Sequence, residues 1–132
     1  MVAYNALQVV DDLDATVAEA ARVLAPGGYL CACIVHPVVD FADVSAHEGE
    51  ARATIRPGYY EREPVDDTVE REGIRMRFTG WTHTLEHYSR ALEGAGLVID
   101  RLREPPLPDD GPDHLRAWRR APLFLMFRAV KV

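Results

Sequence analysis

The chain has 132 residues, of which 48% are hydrophobic and 27% are charged, and its formal net charge is −6. This composition is typical of one globular domain and excludes a disordered chain. The acidic balance disfavours nucleic acid as a partner, because phosphate binding needs a basic face. No apolar run approaches the roughly 20 residues that span a bilayer, and the start of the chain lacks the basic residues of an export signal.

The two cysteines favour a reducing compartment. Cys31 and Cys33 are separated by one residue in an apolar run, which is too close for a comfortable disulfide within a strand. We therefore expect core packing for both thiols and a cytoplasmic location for the protein.

The first 36 residues predict a βαβ unit. Residues 2–7 are apolar on both sides of the backbone apart from Asn5, which is typical of a strand buried on two faces. Asp11 and Asp12 are candidate N-caps of a helix, and Pro26 with two following glycines ends that helix near Leu24. Residues 29–36, YLCACIVH, form a second apolar run. This order of elements favours a parallel strand pair with a right-handed crossover.

The middle of the chain predicts a small β excursion. Residues 38–56 show no clear periodicity and are predicted as a loop. Residues 68–79 alternate, with apolar side chains on one face and arginines on the other, which predicts an antiparallel strand with one solvent face. The stretch around Tyr59 and Tyr60 is its candidate partner.

The last third of the chain returns to helix and strand. Thr84 is a candidate N-cap, and Gly94 and Gly96 would close the helix that follows it. The later predicted elements are a strand at 97–104, a surface loop at 105–112, a short helix at 113–120 and an apolar strand at 123–132. About four sheet strands and two main helices make an α/β fold that looks incomplete.

Three stretches in this order resemble one protein family: YNALQVVDDLDATVAEAARVLAPGGYLCACIVHP, HTLEHYSRALEGAGLVIDRLREP and RAPLFLMFRAVK. They are similar to the C-terminal half of the class I S-adenosylmethionine-dependent methyltransferases that act on small molecules. The resemblance implies a partial Rossmann-like methyltransferase sheet whose last strand is antiparallel. It also implies a single domain over residues 1–132, in which residues 38–83 form a β excursion that acts as a lid.

The resemblance also implies an activity and a set of site residues. The activity is methyl transfer from S-adenosylmethionine, the cofactor, to a small molecule. His36 would be the catalytic proton acceptor, and the segment Asn5, Ala6 and Leu7 would contact the cofactor. The acceptor pocket would be lined by Tyr59, Tyr60, Trp81 and His83. A structural role remains open for each of these residues. Asn5 would then hydrogen-bond the backbone at the strand end, His36 would cap a turn, and the aromatic residues would pack in the core.

Two features of the family are absent from the sequence. There is no glycine-rich loop after a first strand and no acidic residue placed to hold the ribose, and the only G-x-G, Gly94–Gly96, follows a helix. We therefore expect this C-terminal portion to be inactive alone, which leaves open whether the isolated chain is an enzyme. In the family, the strand that matches residues 2–7 lies beside the first strand, so the resemblance implies a bare edge here. We expect a homodimer or a complementing chain to cover that edge, and a truncated gene would explain it equally well. The alternative function is a non-catalytic dimerising or small-molecule-binding module.

The string HTLEH, residues 83–87, matches the H-x-x-E-H pattern of some zinc proteases. Ligation would need both histidines on one helical turn and a third ligand. Thr84 as N-cap places His83 outside the helix and predicts that it points away from His87. The sequence therefore predicts no metal site.

Overall fold

The computed structural model describes residues 1–47 and 50–132 of the chain. Its helices are α1 (Leu13–Val23) and α2 (Leu85–Gly94), with 3-10 segments at Leu7–Val9, Pro37–Phe41 and Asp113–Arg120. Its strands are β1 (Val2–Tyr4), β2 (Tyr29–Val35), β3 (Ala42–His47), β4 (Glu50–Ile55), β5 (Pro64–Arg71), β6 (Ile74–Trp81), β7 (Leu97–Arg103) and β8 (Phe124–Lys131). None of the described helices is long and apolar enough to cross a membrane.

A four-stranded sheet of order β1-β2-β8-β7 organises the chain. β1 runs parallel to β2, whereas β8 is antiparallel to both of its neighbours. The α/β class and the partial Rossmann-like sheet with an antiparallel last strand are therefore confirmed. β1 pairs with β2 alone among the described strands, so its outer edge is bare.

The two helices begin where the sequence predicts. The carboxylate of Asp12 accepts a hydrogen bond of 2.9 Å from the Ala15 amide, and the Thr84 hydroxyl accepts one of 3.1 Å from the His87 amide. The turn after α1 requires glycine at position 28, because a Cβ there would lie 2.8 Å from the carbonyl oxygen of Ala25. At the same end, Lys131 Nζ donates to the carbonyl oxygens of Ala21 in α1 and of the C-cap Leu24, at 2.7 Å each.

Both helices pack on one face of the sheet and close a core there. The core residues are Leu7, Leu13, Val17, Ala21, Leu30, Ala32, Ile34, Tyr88, Ala91, Leu92, Leu97, Leu125, Phe127 and Ala129. The opposite face carries no helix of the described chain. There a groove of about 290 Å³ crosses all four strands, and Val2 and Tyr4 are 78% and 67% exposed. The prediction that residues 2–7 are buried on two faces is therefore wrong for this chain by itself.

The excursion between β2 and α2 consists of two hairpins. The segment 38–56 is predicted as a loop, but its described residues include the end of a 3-10 turn and the paired strands β3 and β4, while 48 and 49 lie outside the described residues. Residues 68–79, predicted as one strand, contain the turn of the β5–β6 hairpin at Glu72–Gly73, and both turn residues have positive φ, 51° and 79°. The partner of β6 is thus β5, and not the stretch around Tyr59 and Tyr60. The first position of this two-residue turn is glutamate instead of the usual asparagine, aspartate or glycine, so its signal in the sequence is weak, which explains the error.

Candidate functional site

A cavity of about 280 Å³ lies at the carboxyl ends of β1 and β2. The parallel register of these strands brings the segments that follow them to one rim, which is where ligands collect in open α/β sheets. The β5–β6 hairpin closes the cavity on one side, and His83, just before α2, and Tyr88, in its first turn, also line it. The cavity is thus formed by four separate parts of the chain.

The rim after β1 is a tight turn. Asn5 has a left-handed φ of 48°, and its amide donates to the carbonyl oxygen of Cys33 at 2.8 Å. Gln8 follows, and its side-chain oxygen Oε1 is buried without a hydrogen-bond partner among the described residues. A buried amide oxygen without a partner costs free energy, so this atom is a candidate acceptor for a ligand.

The β5–β6 hairpin is held close to this rim. Gly80 lies against it, because a Cβ at position 80 would be 3.1 Å from the Gln8 carbonyl oxygen and 3.2 Å from Val9 Cα. Arg62 lies over the Trp81 ring at 4.6 Å from the centroid and donates to the carbonyl oxygen of Asp11 at 2.9 Å. These contacts tie the base of the hairpin to the segment that follows β1.

The charged groups that line the cavity are acidic. Asp40 and Asp67 both line it, whereas no lysine or arginine is among its described lining residues. Burial raises the pKa of the half-buried Asp40 carboxyl, Asp67 raises it further, and Arg56 opposes the rise. Burial, and then the charge of Asp40, also raises the pKa of Tyr88, so its phenol stays neutral at physiological pH.

His83 joins the cavity to a chain of hydrogen bonds. Its side chain lines the cavity and is only 4% exposed, and its Nδ1 lies 3.0 Å from Nδ1 of His87. His87 Nε2 in turn lies 2.9 Å from Oδ2 of Asp14 on α1. The prediction that His83 lies outside the helix is confirmed, but the prediction that it points away from His87 is wrong, because the Thr84 cap turns the chain back toward α2. In the described part of the chain, no group of three or more side chains is arranged to hold a metal ion.

Burial also sets the protonation of His83. It lowers the pKa of His83 to about 4, and the nearby charges of His87 and Arg62 act in the same direction. The hydrogen bond from His87 lowers the pKa of Asp14, which is therefore ionised at neutral pH. The second ring nitrogen of His83, Nε2, is buried and makes no hydrogen bond to any described residue.

His36, the predicted catalytic residue, is buried beside the cavity and does not line it. Its Nδ1 accepts a hydrogen bond of 3.1 Å from the Val38 amide, and its Nε2 lies 2.9 Å from a carboxylate oxygen of Glu104. Both ring nitrogens are therefore engaged in capping the 3-10 turn and in tying it to β7. These contacts support the structural alternative for His36, and its catalytic role stays a prediction.

The other predicted site residues separate into two groups. Asn5, Trp81 and His83 line the cavity. Leu7 packs in the core, Ala6 is exposed, and Tyr60 is 90% exposed. Tyr59 accepts a hydrogen bond of 3.0 Å from the Leu85 amide and packs edge-on against Phe41. The binding roles given to all of these residues stay predictions.

Among the lining residues that were not predicted, four have polar side chains: Gln8, Asp40, Asp67 and Tyr88. Two of them carry a signal in the sequence, since Gln8 and Asp40 follow the two parallel strands at short distance. Asp67 and Tyr88 carry none, because they reach the cavity only through the hairpin and the packing of α2.

Comparisons with known proteins find this fold among methyltransferases. No family model matches the sequence, and no curated protein matches it either. Among solved structures, an S-adenosylmethionine-dependent methyltransferase from Listeria monocytogenes matches 99% of this chain with a TM-score of 0.73 and 20% identity. One from Mesorhizobium loti matches 98% with a TM-score of 0.71 and 20% identity. A glycopeptide N-methyltransferase in complex with S-adenosylmethionine matches 99% with a TM-score of 0.52 and 13% identity.

The chain is shorter than these structures. It spans 60% of the first two and 56% of the third, so about 40% of each has no counterpart here. At sequence identities of 20% and 13%, the structural similarity shows the fold alone.

Proposed function

Because the chain has the fold of part of an S-adenosylmethionine-dependent methyltransferase, we propose that it supplies the acceptor side of an enzyme that methylates a small molecule. The observation that carries this proposal is the cavity at the carboxyl ends of β1 and β2, where this fold collects its ligands. Its volume of about 280 Å³ suits a small acceptor. We place the enzyme in the cytoplasm, in keeping with its two free thiols at Cys31 and Cys33.

The residues present fit the methionine end of S-adenosylmethionine. Gln8 Oε1, a buried acceptor in need of a donor, suits the ammonium group, and the left-handed turn at Asn5 lies beside it. When bound, the cofactor supplies an electrophilic methyl group on a sulfonium. The 132 residues contain no glycine-rich strand–loop that would hold the nucleoside. The chain alone therefore binds the cofactor weakly and is inactive.

The residues of this chain act by orientation and by exclusion of water. Methyl transfer is an in-line displacement, so its rate depends on holding the acceptor atom close to the methyl group. The side chains of Phe78 and Trp81 form an apolar wall over the cavity, and the contacts of Gly80 hold that wall at the rim. A dry, fixed cavity is the contribution expected from this half of the fold.

The open face of the sheet needs a cover. Its exposed apolar side chains include Val2, Tyr4 and Met126, and the bare edge of β1 lies next to them. We propose that this cover is the polypeptide that corresponds to the unmatched 40% of the solved methyltransferases. A second copy of the chain, pairing through the edge of β1, is the alternative occupant.

An NMR titration with S-adenosylmethionine tests this proposal on the chain as it exists. At millimolar cofactor, we expect shifts of the Asn5 and Gln8 amide signals and a dissociation constant weaker than micromolar. The variant Gln8→Leu should lose these shifts, while the surface variant Glu19→Gln on α1 should keep them. Absence of any shift at the rim would favour the non-catalytic binding module. Micromolar affinity would contradict the statement that the nucleoside site is missing.

A further inference from the structure

One carboxylate of the cavity lies on the β5–β6 hairpin. The side chains of Val65, Asp67 and Val69 in β5 line the cavity, so Asp67 stands between two apolar neighbours. The adjacent Asp66 lies on the opposite face of the hairpin and accepts two hydrogen bonds of 2.6 Å from Arg77. Asp67 makes no ion pair or side-chain hydrogen bond with a described residue. An acidic group on the cavity side of the hairpin is therefore available to a ligand.

A second carboxylate, that of Asp40, lies in the 3-10 turn that follows β2. Asp40 is half-buried, whereas Asp67 is exposed, and the Asp40 carboxylate makes no hydrogen bond to a described residue. Its main-chain carbonyl oxygen accepts a hydrogen bond from Arg56, which is not a lining residue of the cavity. Burial, and then the charge of Asp67, raise the pKa of Asp40, and Arg56 opposes this rise. The contact with Arg56 thus holds the turn, while the carboxylate stays open to the cavity.

The two other titratable groups among the described lining residues are poorer proton acceptors. Burial, and then the charge of Asp40, raise the pKa of Tyr88, whose phenol keeps its proton. Burial, and then the charges of His87 and Arg62, lower the pKa of His83 to about 4, because they oppose a positive charge on its ring. A proton taken up by His83 creates a buried charge, whereas a proton taken up by Asp40 removes one. Asp40 is therefore the half-buried lining group best suited to receive a proton.

We propose that the cavity binds the methyl acceptor as a neutral hydroxyl compound, and that Asp40 receives the proton of its hydroxyl group. This inference rests on the proposed function, because it names the substrate class and the proton acceptor of that site. A hydroxyl group donates its O–H to the carboxylate and keeps lone pairs on the same oxygen for the attack. Gln8 takes no part in this contact and serves the ammonium group of the cofactor. His36, the proton acceptor that the sequence predicts, does not line the cavity.

The bond changes of this step balance without a further reactant. The hydroxyl oxygen forms a bond to the methyl carbon, while the bond from that carbon to the sulfonium sulfur breaks and leaves its electron pair on sulfur. The hydroxyl proton moves to a carboxylate oxygen of Asp40 and passes to water when the product leaves. A hydroxyl compound, a sulfonium and a carboxylate thus become an ether, a thioether and a carboxylic acid. One positive and one negative charge disappear together, which a cavity that excludes water favours.

The same carboxylates disfavour the other classes of acceptor. An amine beside Asp40 and Asp67 is held as its ammonium form, which has no lone pair with which to attack the methyl group. A carboxylate or a phenolate meets two like charges, and no lysine or arginine among the described lining residues offsets them. The side chains of Phe78 and Trp81 suit an aromatic ring on the hydroxyl compound.

Two probes test this binding mode on the chain as it exists: 4-nitrophenol and its methyl ether, 4-nitroanisole. The ether keeps the ring and lacks only the O–H donor. The neutral and phenolate forms of 4-nitrophenol absorb at different wavelengths, so a pH titration with excess chain measures the affinity of each form. We expect the neutral form to bind roughly tenfold more tightly than the phenolate and than 4-nitroanisole. Tighter binding of the phenolate, equal binding of the ether, or no binding of 4-nitrophenol would overturn the inference.

Two variants of unchanged shape separate Asp40 from a general effect of negative charge. Asp40→Asn should reduce the preference for the neutral form over the phenolate to about twofold or less, because its amide N–H can donate to the phenolate. Asp67→Asn removes the same charge from the exposed residue and should keep most of the preference. Equal falls in both variants would refute the assignment of Asp40.

A measurement on the unaltered chain needs no variant. The carbon NMR signal of the Asp40 carboxyl group should shift when 4-nitrophenol binds at neutral pH, because its O–H donates to this carboxylate. The same signal should stay in place with 4-nitroanisole. A signal that ignores both probes, or that shifts equally with both, would contradict the hydrogen bond on which the inference depends.

These outcomes are separable from those of the cofactor titration. If S-adenosylmethionine shifts the rim but 4-nitrophenol does not engage Asp40, the methyltransferase proposal stands and the substrate class is wrong. If 4-nitrophenol engages Asp40 and the cofactor shifts nothing, the cavity is a hydroxyl-binding site in a non-catalytic module, and Asp40 has no methyl transfer to assist.

Discussion

The two faces of the sheet differ although the same strands supply apolar side chains to both. Leu125 and Met126 are consecutive in β8, so their side chains lie on opposite faces, and they are 2% and 40% exposed. On one face, α1 and α2 exclude water from the core. On the other, apolar side chains surround a groove that no described residue fills. Among the described residues, one face of these strands is thus covered by helices and the other is open.

The largest expected effect comes from truncating Leu125, and Met126 provides the comparison on the other face. Leu125→Ala should lower the free energy of unfolding by about 2–5 kcal/mol, because it leaves a cavity in the core. Met126→Ala should change it by less than about 1 kcal/mol, because the side chain is partly in water already. Denaturant unfolding at several protein concentrations measures both. If both variants lost equal stability, and if these losses grew with protein concentration, a second copy of the chain would cover the open face.

A smaller effect concerns the pH dependence of stability, which should differ between His83 and a residue on the open face. The pKa of His83 is about 4 in the folded chain and about 6.5 when unfolded, so the unfolded state binds the proton first. Its contribution is fully present above pH 6.5 and is lost as pH falls toward 4, by up to about 3 kcal/mol. On the open face, Arg128 lowers the pKa of Asp100, and that contribution is lost only below the ordinary value of 3.8.

Thermal unfolding from pH 7 to pH 4 measures this difference. In the variant His83→Gln, the melting temperature should decline less steeply between pH 6.5 and 4 than in the unaltered chain. This holds whatever the effect of the variant at pH 7. Asp100→Asn should leave the decline unchanged over the same range. A decline of the same steepness in His83→Gln would show that another group is responsible.

The smallest expected effect concerns α1, one of the two helices that cover the core face of the sheet. Asp12→Ala removes the N-cap of α1 and should lower the free energy of unfolding by about 1 kcal/mol. Asp11→Ala, one residue earlier and exposed, should stay within about 0.5 kcal/mol of the unaltered chain. Hydrogen exchange of the α1 amides would show whether the loss is confined to that helix. An equal loss in both variants would mean that the charge near the helix start matters more than the cap.

The sequence predicts most of the elements that lie in or on the sheet. The caps at Asp12 and Thr84 and the buried run of β2 are local features, and the structure has each of them. The β3–β4 hairpin was missed because Ala42–His47 and Glu50–Ile55 contain few branched or aromatic residues, so no alternation indicates a strand. The turn at Glu72–Gly73 was missed because glutamate seldom adopts a positive φ.

The cavity was predicted less completely than the fold. Asn5, Trp81 and His83, which the sequence predicts at a ligand site, all line the cavity, because strand ends and the excursion meet there. Their binding roles stay predictions. The hydrogen bond between His87 and Asp14 joins residues 73 positions apart and depends on how α1 packs against α2. Such a contact leaves no periodic pattern in a single sequence.

The contact of Gly80 with the Gln8–Val9 backbone couples the β5–β6 hairpin to the end of β1. The two segments meet there through main-chain atoms, and a methyl group at position 80 would fit only if they moved apart by a few tenths of an ångström. The spacing at this contact is therefore set by the polypeptide backbone. Changes of Phe78 or Trp81 would alter the lining of the cavity and leave this spacing as it is.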